Sequence, residues 1–321
     1  MSALLEVDDL AVHFGAPGAR GKVKAVDGVT FSVERGRTLG LVGESGCGKS
    51  TTGYALLHLI KPTAGQVVFD GVDLGALDTK SLRRMRRRLQ IIFQDAHASL
   101  NPRMPIGDLV AEALDIHDLY PGAARAGRIR ELMDMVGLAG HLVERYPHEL
   151  SGGQAQRVAI CRALAVEPEL IVCDEPVSAL DVSIQAQIIN LLQDLQERLG
   201  LTYIFISHDL SVVRHMSDRV AVMYLGRIVE MAGKDEIYAS PAHPYTKALM
   251  SAVPIADPDA DAQRQRVILV GDLPNPADPP SGCRFRTRCP IAIARCAEID
   301  PIQQPLGPQH WAKCIRLAEG T

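Results

Sequence analysis

Residues Gly43 to Thr51 read GESGCGKST, which fits the pattern G-x-x-x-x-G-K-[ST] and directly follows the apolar run TLGLVG. Glycines at this spacing let successive backbone N–H groups curl around phosphate oxygens, and a helix opening there adds its positive end. The pattern assigns Gly43, Glu44, Ser45, Gly46, Cys47, Gly48, Lys49, Ser50 and Thr51 to a phosphate cradle. In it Lys49 is the residue that reaches the β- and γ-phosphates, and the Ser50 hydroxyl is a Mg²⁺ ligand. Farther along, LIVCDEP ends an apolar strand in two acids, Asp174 and Glu175. Asp174 is expected beside the metal, and Glu175 beside an attacking water that a carboxylate aligns and deprotonates. Two acids at a strand end are commonplace alone; downstream of a phosphate cradle they become a candidate catalytic pair.

Between cradle and acids lies LSGGQAQR, Leu150 to Arg157. Ser151, Gly152, Gly153 and Gln154 open a helix expected to run to Ala165. Read alone, this is a Ser-capped helix. Read beside the cradle, it is a second anion-binding helix start. One nucleotide in one subunit hardly needs two such starts. A head-to-tail dimer would set the second over the partner's γ-phosphate.

These groups need elements to carry them. TLGLVG, ELIVCDEP and LTYIFISHD are continuous apolar runs, as expected of buried parallel strands. EVDDLAVHF and VTFSVERG alternate as half-buried strands do, and GQVVFDGVDL reads as a hairpin. SIQAQIINLLQDLQERLG keeps Ile184, Ile188, Leu191, Leu192, Leu195 and Leu199 at helical spacing and stops at Gly200. Residues 1–235 are thus expected to form a compact α/β domain, with residues 236–321 a looser appendage of little core. Twelve of the 20 prolines fall in the last 81 residues. Too many of these crowd GDLPNPADPPSG, Gly271 to Gly282, for a helix or a central strand.

Composition sets bounds on function. A net charge of −4 supplies no global basic field for nucleic acid. The start, MSALLEVDDL, lacks the pattern of a secretory signal, and no stretch approaches 18 uncharged apolar residues. The thiols are therefore expected in a reducing compartment. The basic run SLRRMRRR, Ser81 to Arg88, reads as a solvated helix face, because Leu82, Met85 and Leu89 keep core-facing spacing around it. Weak contact with anionic lipid headgroups is the alternative.

The order of these motifs resembles the ATPase subunit of ATP-binding-cassette transporters. The LSGGQ signature lies 23 residues before the strand-end acid Asp174. Gln94 in IIFQD matches the family's Q-loop, SALD (Ser178 to Asp181) its D-loop, and His208 in FISHD its switch histidine. The resemblance implies an α/β P-loop ATPase core with an antiparallel β subdomain, a helical signature subdomain at about 95–165 and a Pro-rich C-terminal extension. It also implies catalytic roles for Glu175, His208 and Gln94, and Mg²⁺ held by Ser50, Gln94 and Asp174. Phe14 is the aromatic expected on adenine, with His13 beside it.

ERYPHELSGGQ, DEPVSALDVSIQAQIINLL, FQDAHASLNPRM and SPAHPYTKALMSAVP narrow the likeness to the oligopeptide and dipeptide permease group, second ATPase type. That implies an energy-coupling subunit of a peptide importer at the cytoplasmic face of the membrane. Its implied partners are a second, homologous ATPase, two membrane permease subunits contacted near Gln94 to Leu114, and an extracytoplasmic peptide-binding protein. The alternative is a soluble cassette ATPase of DNA repair or the ribosome; this chain has one cassette and no heptad arm. Departures are Ala155 for the usual arginine after the signature and Ala96 for the usual proline after FQD.

Seven cysteines complete the reading. Cys47 sits in the cradle, where a helix N-terminus is expected to favour its thiolate. Cys161 and Cys173 read as small buried apolar residues. Cys283, Cys289, Cys296 and Cys314 are spaced C-x5-C-x6-C-x17-C, unlike paired zinc knuckles. Four thiolates hold either Zn²⁺ or a [4Fe–4S] cluster, and idle thiols or a disulfide are also open. The wide loops suit a cuboidal cluster. The likeness to peptide-permease ATPases, some of which carry such a cluster, implies [4Fe–4S] on these four residues. One departure is local: Arg286 and Thr287 stand where those relatives often have His-Pro.

Overall fold

The computed structural model describes residues 3–15, 22–253, 267, 269 and 271–318. The chain divides into two compact units. One comprises Met1–Leu4, Val33–Thr38 and Val72–Ile206; the other comprises Leu5–Ser32, Leu39–Gly71 and Ser207–Thr321.

The first unit is built on parallel strands. Leu89–Ile92 pairs with Leu170–Asp174 from Leu89↔Leu170 to Ile92↔Cys173, and Leu170–Asp174 pairs with Thr202–Ile206 from Leu170↔Thr202. Every residue of the latter two strands is buried, as continuous apolar runs require when both faces are covered. The helices Ile106–Ile116, Ala123–Met135 and Gly152–Leu164 pack on one another around Leu114, Leu132, Met133, Val158 and Ile160, all fully buried. This is the helical subdomain expected from the resemblance.

Val182–Leu199 buries Ile188, Ile189, Leu192 and Leu195, and ends at Gly200 in a left-handed turn. Leu199, placed on the apolar stripe by its spacing, is 46 % exposed in the last turn. The arginine run splits into two parts. Arg83 and Arg84 are exposed on the helix Thr79–Met85, which Asp78 caps by accepting from Ser81 N at 2.7 Å. Arg87 and Arg88 lie past its end and pair with Glu167 and Glu169. Hydrogen bonds from Arg88 and then Arg35 hold the Glu169 carboxyl below the usual range against the opposing effect of burial.

In the second unit Ala3–Gly15 is the middle strand between Lys22–Glu34 and Ala64–Phe69, antiparallel to the latter with Leu5↔Phe69 in register. Thr38–Val42, buried throughout, runs parallel to Arg219–Tyr224, which pairs antiparallel with Arg227–Gly233. The end of the chain joins this sheet: Trp311–Ala312 pairs with Glu230 and Met231, and Gln304–Pro305 pairs with Trp311–Ala312.

The extension has a core that its proline content conceals. Phe285 is 1 % exposed and meets Tyr224 edge-on, with ring centroids 5.2 Å apart, while Tyr245 and His243 lie within 5.6 Å. Burying one such ring contributes about 1.5–3 kcal/mol. These aromatics are scattered from Tyr224 to Phe285, so no local periodicity announces them. Nearby, fully buried Glu230 accepts from Ala242 N and His243 N at 2.7 and 2.8 Å and faces His310 Nε2 at 2.8 Å. A buried carboxylate held by three donors pins the Pro-rich segment to the sheet.

Candidate functional site

In the second unit the cradle follows the strand Thr38–Val42 and leads into the helix Lys49–Leu56. Its glycines are forced by sterics. Gly43 has φ 154° and a Cβ there would stand 2.2 Å from Met223 O; Gly48 has φ 106° and a Cβ would stand 2.1 Å from Ala25 O. Gly48 caps the helix without any side-chain bond, so the first-turn amides keep their affinity for an anion. Lys49 is 5 % exposed, and its Nζ donates to Gly43 O at 2.8 Å and Glu44 O at 3.1 Å. The ammonium is therefore held within the loop whose amides would receive phosphate.

Cys47 corrects an expectation. Its side chain is 1 % exposed, and burial pushes the thiol up to about 11, outweighing the opposing charge of Lys49. Desolvation disfavours the thiolate more than the helix end favours it. Cys47 serves the cradle through its backbone and fills core with its side chain. Cys161 and Cys173 are buried as expected.

Also in this unit, Phe14 is 41 % exposed near the end of its strand. His13 beside it is engaged through Nε2 with Asp27 at 2.9 Å. His208 is exposed just after the strand Thr202–Ile206, before Asp209, which caps the helix Leu210–Met216 by accepting from Ser211 N and Val212 N.

The first unit carries the acids. Asp174 closes its strand and is 2 % exposed. Glu175 follows with φ 47°, a left-handed backbone uncommon for a residue with a Cβ and characteristic of functional turns. Its N–H donates to Ile206 O at 3.0 Å. Gln94 Nε2 donates to Glu175 Oε2 at 3.0 Å and reaches Ser178 Oγ at 3.4 Å, while Ser178 Oγ donates to Glu175 O at 3.1 Å. The expected Q-loop glutamine, base and D-loop serine thus meet.

The signature forms a complete capping box: Ser151 Oγ accepts from Gln154 N at 3.3 Å, and Ser151 N donates to Gln154 Oε1 at 3.0 Å. A Cβ on Gly153 would stand 2.6 Å from Ile184 Cγ2, and one on Gly152 3.3 Å from Leu180 Cδ2. These glycines let the helix start pack closely on the D-loop segment. Asp181, exposed, caps the helix Val182–Leu199 with no side-chain bond.

All four C-terminal thiols line one cavity, together with His243, Phe285, Arg286 and Arg316 among others. Cys296 and Cys314 are buried, Cys283 and Cys289 half-buried, and no disulfide joins them. Cys283 N donates to Cys296 O at 2.8 Å. Burial first, and then the neighbouring thiols, push Cys283 up to about 11. Burial likewise raises Cys289 and Cys314. Among the described residues, no group of three or more His, Cys, Asp or Glu side chains is arranged to hold a metal ion.

Sequence reading missed the supports of the cradle. Tyr245 Oη accepts from Glu44 N at 2.9 Å. Arg288 donates from Nη1 and Nη2 to the two Glu44 oxygens at 2.6 and 3.0 Å. Arg284 binds Asp27, whose carboxyl is held below the usual range by Arg284, His13 and Arg227 although burial alone would raise it. Contacts across more than 200 residues leave no signal in a single sequence.

Comparison with known proteins agrees with this geometry. Residues 26–178 match the family described as ABC transporter, and residues 229–296 match the oligopeptide/dipeptide transporter C-terminal region. The chain is 52 % identical over 324 residues to the oligopeptide transport ATP-binding protein OppF of Salmonella typhimurium, covering 98 % of this chain and 96 % of that one. It is 54 % identical over 295 residues to the oligopeptide transport ATP-binding protein AppF of Bacillus subtilis, covering 92 % and 90 %. Its fold matches the ATP-binding cassette MJ0796 in a dimeric post-hydrolysis state bound to ADP and Pi, with TM-score 0.65 at 30 % identity over 72 % of this chain and 98 % of that one. With more than half its residues identical to relatives aligned over nearly their full length, the chain belongs to the ATP-binding-cassette transporter ATPases of the oligopeptide/dipeptide type.

Proposed function

We propose that this ATPase is the energy-coupling subunit of a peptide importer, working in a head-to-tail pair with a second, homologous ATPase. The observation that carries the reading is the contact from Gln94 to Glu175. Gln94 directly precedes Asp95, which caps the helix Ala96–Ser99 at the entrance to the helical subdomain. A displacement delivered to that subdomain by membrane subunits would reach the group that handles the attacking water. In this reading the cradle amides and Lys49 hold the triphosphate, Phe14 stacks on adenine and the partner's signature covers the γ-phosphate. Glu175 accepts a proton from water as the water oxygen bonds to the γ-phosphorus and ADP leaves; His208 and Gln94 position the reactants.

The donors assigned to Mg²⁺, a hydroxyl on Ser50, a carboxylate on Asp174 and an amide oxygen on Gln94, are the hard oxygen ligands this ion prefers. Mg²⁺ would neutralise phosphate charge. Among the described residues no helix is long and apolar enough to cross a membrane. We place the subunit peripherally at the cytoplasmic face, held by two permease subunits, with substrate supplied by an extracytoplasmic binding protein. Reconstitution tests this: the chain with its partner ATPase and permease subunits is expected to accumulate peptide in vesicles only with hydrolysable ATP. Vesicles that hydrolyse ATP without peptide-dependent stimulation or uptake would refute the assignment.

The four thiols are assigned to a [4Fe–4S] cluster. Support comes from the donor set: four cysteines face one cavity, and Arg286 and Arg316 on its wall would offset the negative charge of a tetrathiolate cluster. Zn²⁺ on the same four thiolates is the alternative, and metal analysis separates the two. Such a cluster would cross-link the Pro-rich extension, since hydrolysis needs no electron. Anaerobic purification is expected to yield about four irons and four sulfides per chain with visible absorption, lost in Cys289→Ser. One zinc and no colour would replace the assignment.

A further inference from the structure

We propose that Arg288 is a positioning residue for the phosphate cradle, holding the Glu44 carboxylate and neutralising it so that the cradle meets a polyphosphate with its cations uncontested. The proposal rests on the cradle binding ATP. Glu44 lies one residue into that cradle, and an uncompensated carboxylate there opposes an anionic ligand. Arg288 meets it with a two-pronged grip at 2.6 and 3.0 Å, the geometry in which a guanidinium matches a carboxylate. The Arg288 side chain is 7 % exposed and that of Glu44 29 %, so the pair is partly shielded from solvent.

The grip is preorganised by the segment between Cys283 and Cys289. Arg288 N donates to Phe285 O at 3.0 Å, closing a turn whose aromatic ring is fixed in the cluster with Tyr224 and Tyr245. Tyr245 also accepts the Glu44 N–H, so the extension grips both the backbone and the side chain of one cradle residue. At the other end of the segment Arg284 donates to Leu225 O at 2.5 Å and binds Asp27, which engages His13. Asp27 N in turn donates to Gly226 O, and Gly226 N donates to Cys47 O at 2.8 Å inside the cradle. Two of the three arginines in this segment thus tie it to the cradle, Arg288 directly through Glu44 and Arg284 by way of Asp27 and Gly226.

The test is MgATP affinity of the purified full chain, measured by displacement of a fluorescent ATP analogue, together with KM and kcat in the ATPase pair. R288Q is expected to raise Kd and KM about tenfold while lowering kcat much less, because a half-buried carboxylate inside the cradle loses its neutralising partner and opposes the incoming phosphates. The double variant E44Q/R288Q is expected to bind more tightly than R288Q, since it removes the stranded charge. The deficit of R288Q relative to wild type is expected to narrow between about 0.05 M and about 0.5 M salt as the charges become screened. R288K, which keeps the charge and loses one contact, should fall between, and it replaces R288Q if that variant does not fold. R288Q (or R288K in its place) within twofold of wild type, or a double variant no better than the single, would overturn the proposal. Wild type that fails to bind MgATP would refute the nucleotide assignment instead.

Discussion

Glu175→Gln is expected to bind MgATP with wild-type affinity and to lose hydrolysis by on the order of 100-fold or more, the usual worth of a general base. The amide keeps the shape and can still accept from Gln94 Nε2, which donates to Glu175 Oε2 in the native chain. It cannot take a proton from water. Glutamine removes no backbone contact, so the turn at this position, with φ 47° and its N–H on Ile206 O, is expected to survive the substitution. Nucleotide therefore stays bound, and the ATPase pair is expected to accumulate closed, as a longer-lived dimer by size-exclusion chromatography in MgATP. Turnover above about a tenth of wild type would remove Glu175 from the role of base.

Ser151→Arg is expected to abolish hydrolysis at the partner's cradle while leaving nucleotide binding to the isolated chain intact. Ser151 is exposed and contributes both halves of the capping box with Gln154. Loss of the cap alone costs about 1 kcal/mol of local stability, which Ser151→Ala measures separately. Arginine adds bulk and removes the short hydroxyl at a helix start that offers its amides in trans. The deficit of Ser151→Arg should thus far exceed that of Ser151→Ala. Mixing it with a chain whose own cradle is disabled by Lys49→Ala would show which half of each composite site has failed. An isolated chain hydrolysing ATP at full rate at concentrations too low for pairing would rule out a site shared between two subunits.

Much of this protein was legible in its sequence because the determinants are local. The cradle needs glycine where φ is positive and where Met223 O and Ala25 O come too close for a Cβ, so Gly43 and Gly48 announce it in the bare string. Ser151 and Gln154 write a capping box in four consecutive letters. Continuous apolar runs mark strands buried on both faces, and Asp174 marks where one of them ends. Backbone sterics, caps and burial periodicity act over a few residues, and a few residues suffice to read them.

Other features were decided by tertiary structure. The thiol of Cys47 looked activated by the helix end behind it, yet packing buries it and desolvation wins. The arginines of SLRRMRRR looked like one solvated face, but Glu167 and Glu169, some 80 residues on, take Arg87 and Arg88. Prolines in the last quarter hid a core because its members, Tyr224, His243, Tyr245 and Phe285, follow no repeat. Arg288 reaches Glu44 across 244 residues. Which distant charges and rings meet is settled by chain topology and by the burial it creates, and neither quantity is defined until the chain has folded.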